Sequence, residues 1–275
     1  MAWLSNSHAF AAAVRAADGP ARRGSRRVGL TGRALIFQLH EMSPTPLDPR
    51  SAARPPAKRG RPTKHAAGAD TSKAILDAAE ELFSKHGFHG VTLREVAREA
   101  GVDTALVLYY FDTKRGLFDA VFLRRAEVLN RDRLESLDRY AEIMGDRMTI
   151  EGVIDAFVGP VLEWQAKGGP GWKHYCALVA QVNATPIWGG ETMTRYFDPV
   201  IHKLTAMIQE LLPRARREDL YWAYHNLSGA LTLTMGETGR IDRLSGGLCR
   251  SGDLSAARTA MVRFAAAGFR AVCGD

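Results

Sequence analysis

Between Thr71 and Arg125 the chain reads TSKAILDAAEELFSKHGFHGVTLREVAREAGVDTALVLYYFDTKRGLFDAVFLRR, and few folds accommodate that order of apolar stripes and stops. Ile75, Ala79, Leu82 and Phe83 recur at i, i+4, i+7 and i+8, which predicts one buried helical stripe, closed by Gly87. Thr92, with Glu95 three residues on, has the pattern of a capping box, in which each residue satisfies a backbone N–H of the other. Leu93, Val96, Ala97 and Ala100 then mark a short second helix that Gly101 ends. Asp103 is placed to cap a third helix. There Val107, Tyr110 and Phe111 share one side, and Thr104, Ala105, Leu108 and Tyr109 the other. Thr113 can cap a fourth helix carrying Leu117, Val121 and Leu123.

Two short helices joined by three or four residues around a glycine form a helix-turn-helix. In that motif the first helix crosses the phosphate backbone and the start of the second enters the major groove. Free N–H groups at a helix N-terminus favour phosphate, and Thr104 and Ala105 are small enough to permit close approach. A plain three-helix bundle would bury Val107 and Phe111 equally well. It would leave Leu108 and Tyr109 facing outward to no purpose, and this favours the DNA-binding motif.

The segment resembles the DNA-binding domain of TetR-type bacterial regulators, through AAEELFSKHGFHGVTLREVAREAGV, LYYF and TKRGLF in one register over about fifty-five residues. The resemblance implies that Thr92 and Arg94 face DNA, together with Thr104, Ala105, Leu106 and Tyr109. It places Tyr110 and Lys114 within reach of backbone phosphates. Asp103 stands where Ser is commoner, Leu108 where Tyr is frequent and Tyr109 where His is frequent. Leu108 cannot donate to a phosphate, although it can touch a thymine methyl.

The net charge of +7 is unevenly placed. Residues 1–70 hold twelve Lys or Arg against four Asp or Glu, and the rest of the chain holds twenty-five against twenty-six. Seven of the twelve prolines also fall in the first 70 residues, where no apolar period persists. That composition predicts a disordered basic extension over 1–69, supplying long-range attraction to phosphate. Within it, Arg59 and Arg61 flank Gly60 ahead of Pro62 and look like the core of an AT-hook, a slender basic chain suited to a narrow A·T minor groove. The alternative is a solvated linker touching phosphate without specificity. The first 27 residues are Arg-rich and acid-poor in the manner of a transit peptide, and translation starting at Met42 accounts for them equally well.

Three widely spaced cysteines suggest no disulfide framework and fit a reducing cytoplasm. His174 and Cys176 lack a second ligand pair, so neither metal nor other cofactor is expected. No nucleophile elbow or phosphate-binding glycine motif points to an enzyme. No apolar run reaches membrane-spanning length.

Beyond a DNA-binding domain at 70–130, residues 131–275 read as helices throughout, so the fold class is all-α. The helix continues after Arg125 through Asn130 and Leu134 to about Met144, where Gly145 breaks it, and charge alternation along 126–144 predicts an exposed connector. Amphipathic helices follow at 149–167 (Ile150, Val153, Ile154, Phe157 and Val161 inward), Trp172–Val182, Thr192–Leu212, Arg217–Met235 and Ser255–Val272 (Ala256, Ala260, Met261, Phe264, Ala265, Gly268 and Phe269 on one stripe), with breaks at Gly168–Gly171 and Thr185–Pro186. A helix-turn-helix reads one half-site, so a palindromic operator calls for a homodimer. The final two helices, rich in small residues, are the expected interface. Trp164, Trp172, Tyr175, Phe197 and Trp222, with Gln181 and His225, are the expected lining of a small-molecule pocket. FDPVIHKL, the run at Trp222–Leu231, IDRLSGG and VRFAAAGFRA are weakly similar to the fatty-acid-responsive PsrA-like subgroup, which implies an acyl effector. These features predict a ligand-responsive repressor. The alternative is an architectural DNA binder that depends on its basic extension and needs no ligand.

Overall fold

The structure, a computed structural model, describes residues 64–185 and 189–274. Among these there are ten α-helices and no strand. Arg59, Arg61 and the rest of the extension before Lys64 lie outside the described residues. Helix α1 spans Lys64–His86, α2 Leu93–Glu99, α3 Thr104–Phe111 and α4 Lys114–Met144. After a 3-10 turn at Gly145–Arg147 come α5 (Ile150–Lys167), α6 (Pro170–Asn183), α7 (Gly189–Leu211), α8 (Arg217–Met235), α9 (Arg240–Leu244) and α10 (Leu254–Cys273). No described helix is long and apolar enough to cross a membrane.

Helices α1–α3 fold around Ile75, Ala79, Phe83, Val96 and Val107, all fully or almost fully buried. The predicted apolar stripes of α1 and α2 are therefore the ones that pack. Helix α1 begins earlier than Thr71. Ala66, Ala67 and Ala69 favour helix, and the nearest breaker upstream is Pro62. Likewise Pro170 opens α6 as its first residue, where its missing N–H is harmless, and this shortens the expected loop.

The largest correction concerns the connector. Residues 126–144 continue as helix to Met144, as expected, within a single helix of 31 residues, but they are not the exposed strut that their charge alternation predicts. Its Ala126, Leu129, Arg133 and Leu137 are buried, chiefly against α5. The boundary placed at 130/131 thus falls inside a continuous helix. On α5, Ile150, Val153, Ile154, Phe157 and Val161 point inward as expected. Gln165 is buried there too, and its amide ties α5 to Glu237 Oε1 (2.6 Å) beyond the end of α8.

Helix α10 packs on α5 and α8 through Met261, Val262, Ala265, Ala266 and Phe269. Phe264, expected on the same stripe, is 74% exposed instead. Ala256 and Ala260 are exposed with it.

Candidate nucleic-acid interface and internal chamber

The capping box opens α2. Thr92 Oγ1 accepts from Glu95 N at 3.3 Å, and Glu95 Oε2 accepts from Thr92 N at 2.7 Å. The Thr92 hydroxyl, which donates to Glu95 Oε2 at 2.8 Å, and then the Thr92 N–H hold the Glu95 carboxyl below its ordinary range. The turn into α3 needs a left-handed residue, and Gly101 supplies it at φ +67° with open space around it. Asp103 Oδ1 then accepts from Ala105 N at 2.7 Å, which fixes the first turn of α3.

Val107 anchors α3 inward, and the opposite face is left to solvent: Leu108 is 44% exposed and Tyr109 81%. The Tyr109 ring stands edge-on to Tyr110 at 5.4 Å, so it is supported although unburied. Thr92, Arg94 and Ala105 are also exposed, whereas Thr104, Leu106, Tyr110 and Lys114 are half-buried. Asp112, at φ +61°, reverses the chain into the Thr113 cap of α4. Directly after that cap the Lys114 ammonium lies 4.6 Å over the Phe88 ring. Burial lowers its pKa, against the raising effect of Glu95. A short helix with a clear outer face, a small residue near its start and a fixed cation beside it has the dimensions of a major-groove reader.

This unit is joined to the helical body by an ion cluster. Glu80, almost fully buried on α1, accepts from Arg125 Nε (2.5 Å) and Nη2 (2.6 Å), and Arg124 Nη2 lies 3.0 Å away. The Arg125 guanidinium sits 5.0 Å from the Trp172 ring. Trp172 stacks on Trp164 with centroids 4.4 Å apart, and Trp164 Nε1 donates to Asp132 at 2.8 Å. Gly171 has no room for a side chain, since a Cβ would lie 2.2 Å from Arg125 Nη2. Gln181 adds a further link by donating to the Ser84 carbonyl. Phe88, Phe118 and Phe122 contact one another in series, at 5.3 and 5.9 Å, and Phe122 reaches both Tyr175 and Phe197.

Trp164, Trp172 and Gln181 therefore serve this joint, and Trp164 also borders an outer cleft of about 490 Å³ between α4 and α5, lined with Asp132, Arg139, Glu163 and Arg258. Tyr175 is fully buried between Phe122 and Trp172, with no hydrogen bond to its hydroxyl. Trp222 (58% exposed) and His225 face outward as an edge-on pair, because Leu220, Ala223, Leu227 and Leu231 take the inward stripe of α8. Of the seven residues expected at the pocket, only Phe197 borders the internal chamber.

That chamber lies among α4, α5, α6, α7 and α8, with a volume of about 30 Å³. Leu129, Phe157, Val179, Phe197, Ile201 and Leu231 supply much of its apolar wall. Its polar groups are Arg133, Tyr224, Asn183, Ser228 and Thr232. Asn183 Nδ2 donates to Thr232 Oγ1 at 2.6 Å. Arg133 went unread as a site residue, although its spacing of four from Leu129 and Leu137 puts it on their buried stripe. Burial pushes its guanidinium down to about 10, so it remains charged at neutral pH. Burial also pushes the Cys176 thiol up to about 12, which leaves it a packing group. No cluster of three metal-ligating side chains occurs among the described residues.

Two further sets of exposed residues complete the body. Trp222, His225, Gly229 and Leu233 follow one face of α8 at helical spacing, and Ala256, Ala260 and Phe264 follow one face of α10.

Residues 75–121 match the family described as bacterial regulatory proteins, tetR family. Residues 155–268 match the tetracyclin repressor-like C-terminal domain. The HTH-type transcriptional regulator RutR of Escherichia coli (strain K12) is 51% identical over 49 residues, which cover 18% of this chain and 23% of that protein. BetI of Agrobacterium fabrum, another HTH-type transcriptional regulator, is 39% identical over 67 residues, or 24% and 32% of the two chains. The chain thus spans less than a third of the length of these curated relatives. Among solved structures, a TetR-like transcriptional regulator from Rhodococcus sp. RHA1 shares the fold with a TM-score of 0.51 at 18% identity, covering 74% of this chain and 96% of that one. With both the helix-turn-helix and the helical body matched, the chain belongs to the TetR family of DNA-binding transcriptional regulators.

Proposed function

We propose that the protein is a ligand-responsive repressor that binds a palindromic operator as a homodimer and leaves it when a small, largely apolar effector fills the body. The observation that carries the DNA-reading part is the outer face of α3, where Tyr109 is 81% exposed although nothing in the monomer requires an aromatic there. Thr92, Arg94, Thr104, Ala105, Leu106 and Tyr109 are assigned to the DNA contact, with Tyr110 and Lys114 at phosphates. Residues 70–130 form the DNA-binding part in this reading, and 131–275 the effector-binding and dimerisation part. The exposed faces of α8 and α10 are the dimer contact. The chamber is the effector site, and the PsrA-like run at Trp222–Leu231 makes acyl compounds the first to screen.

Tyr109→Ala is expected to cost more on the operator than on random DNA, because a base contact carries the sequence information. Lys114→Ala is expected to weaken binding to every sequence and to lower the salt slope by about one unit. Fluorescence anisotropy on operator and random duplexes across a salt series separates the two. Equal proportional losses in both variants would overturn these roles.

The basic extension supports a second reading, in which the protein is architectural and needs no ligand. Deleting residues 1–64 is expected to reduce operator affinity and flatten its salt dependence, while deleting 1–41 changes little. Absence of any strong preference of the full chain for an operator over bulk DNA would favour the architectural reading. Undiminished affinity in the longer deletion would remove Arg59 and Arg61 from the contact.

A further inference from the structure

Arg133 is the least expected residue of the chamber wall. It is 5% exposed, and Nε donates to the Phe157 carbonyl at 3.1 Å. The guanidinium carbon lies 4.4 Å from the centre of the Phe157 ring. No carboxylate lies within ion-pair distance among the described residues, and Nη1 and Nη2 donate to no acceptor there. A buried charge is ordinarily paired, because desolvation is costly. One carbonyl and one aromatic face compensate Arg133 in part, and its charge borders the chamber. The other polar wall groups, the Tyr224 and Ser228 hydroxyls and the Asn183–Thr232 pair, are neutral. Around them the wall is aliphatic and aromatic. A planar cationic fork at one position of an apolar cavity has the chemistry that recognises a carboxylate on a hydrocarbon body.

We propose that the chamber binds an apolar carboxylate, with Arg133 holding the carboxylate through the two terminal nitrogens that the protein leaves without acceptors. The inference rests on reading the chamber as the effector site and adds the class of its ligand. At about 30 Å³ the chamber holds no such compound as it stands, so binding selects a form in which the wall has opened.

The test uses the full chain with decanoate and decan-1-ol, which share a hydrocarbon body and differ in the charged head. Binding is read by calorimetry, and operator release by anisotropy. Decanoate is expected to bind at least about tenfold more tightly than decanol, the worth of a hydrogen-bonded charge in a desolvated site. Arg133→Met, which replaces the buried charge with an apolar group of similar length, is expected to remove that preference while operator binding without ligand persists. Arg133→Lys keeps the charge without the fork and is expected to keep part of the preference. Equal affinities for the two probes in the parent protein, or a preference surviving in Arg133→Met, would overturn the proposal, as would failure of decanoate to bind. Decanoate bound through Arg133 with operator affinity unmoved would keep the carboxylate site and overturn the effector reading. Decanol releasing the operator as well as decanoate does would keep the effector reading and overturn the carboxylate site.

Discussion

Phe264→Glu is expected to yield a folded monomer whose operator affinity is lower by at least about a hundredfold, because bivalent engagement contributes about 10²–10⁴ in such systems. Phe264 is 74% exposed on α10, so a carboxylate there costs the monomer almost nothing. In a two-fold contact the same substitution acts twice and places charge where an isologous patch must close on itself. Light scattering reads the mass and anisotropy the affinity. A dimer of unchanged mass would remove the α8–α10 face from the interface. Loss of dimer without loss of operator affinity would remove the need for two half-sites one helical turn apart.

Glu80→Ala is expected to destabilise the fold by about 3–5 kcal/mol, the usual consequence of removing one partner from a buried ion pair. The side chain of Glu80 is 2% exposed and faces Arg124 and Arg125, which are 23% and 18% exposed. Without the carboxylate, two guanidinium groups stay close together behind α1, and the cation above Trp172 loses its counter-charge. Chemical denaturation followed by circular dichroism measures the loss. Glu80→Ala combined with Arg125→Ala is expected to lose less than the sum of the two single changes, since both remove the same interaction. A loss below about 1 kcal/mol in Glu80→Ala would mean that water reaches the cluster and screens it.

What could be read from sequence is local. The Thr92–Glu95 box, the Asp103 and Thr113 caps and the left-handed Gly101 each depend on residues within four positions, and all are in place. The α8 stripe of Leu220, Ala223, Leu227 and Leu231 is equally visible, being a matter of period alone. The pocket was not legible, because aromatic content does not say which way a ring points. Trp222 lies one residue from Ala223, about 100° around the helix, and that rotation separates the core from the surface. Arg133 was hidden for the opposite reason. In RRAEVLNRDRLESLDRYAEIM the charges alternate as they do on a solvated face, and only the apolar spacing of Leu129 and Leu137 marks the residue between them as buried. The joint at Glu80 pairs residues 45 positions apart, beyond the reach of any local pattern.

Helix α4 runs unbroken from Lys114 to Met144, with neither Gly nor Pro after Gly116. It carries Arg133 on the chamber wall and Lys114 beside the DNA-reading unit, so both belong to one stiff arm of about 28 Å. If the wall opens by turning that arm about 5° around the chamber, its far end travels about 2.5 Å. In the proposed homodimer, two such arms related by the two-fold axis would alter the separation of the reading helices by about 5 Å, more than the 3.4 Å rise of one base pair. On the reading proposed above, a turn that is small at the chamber wall is thereby geared up to the scale on which DNA register is set.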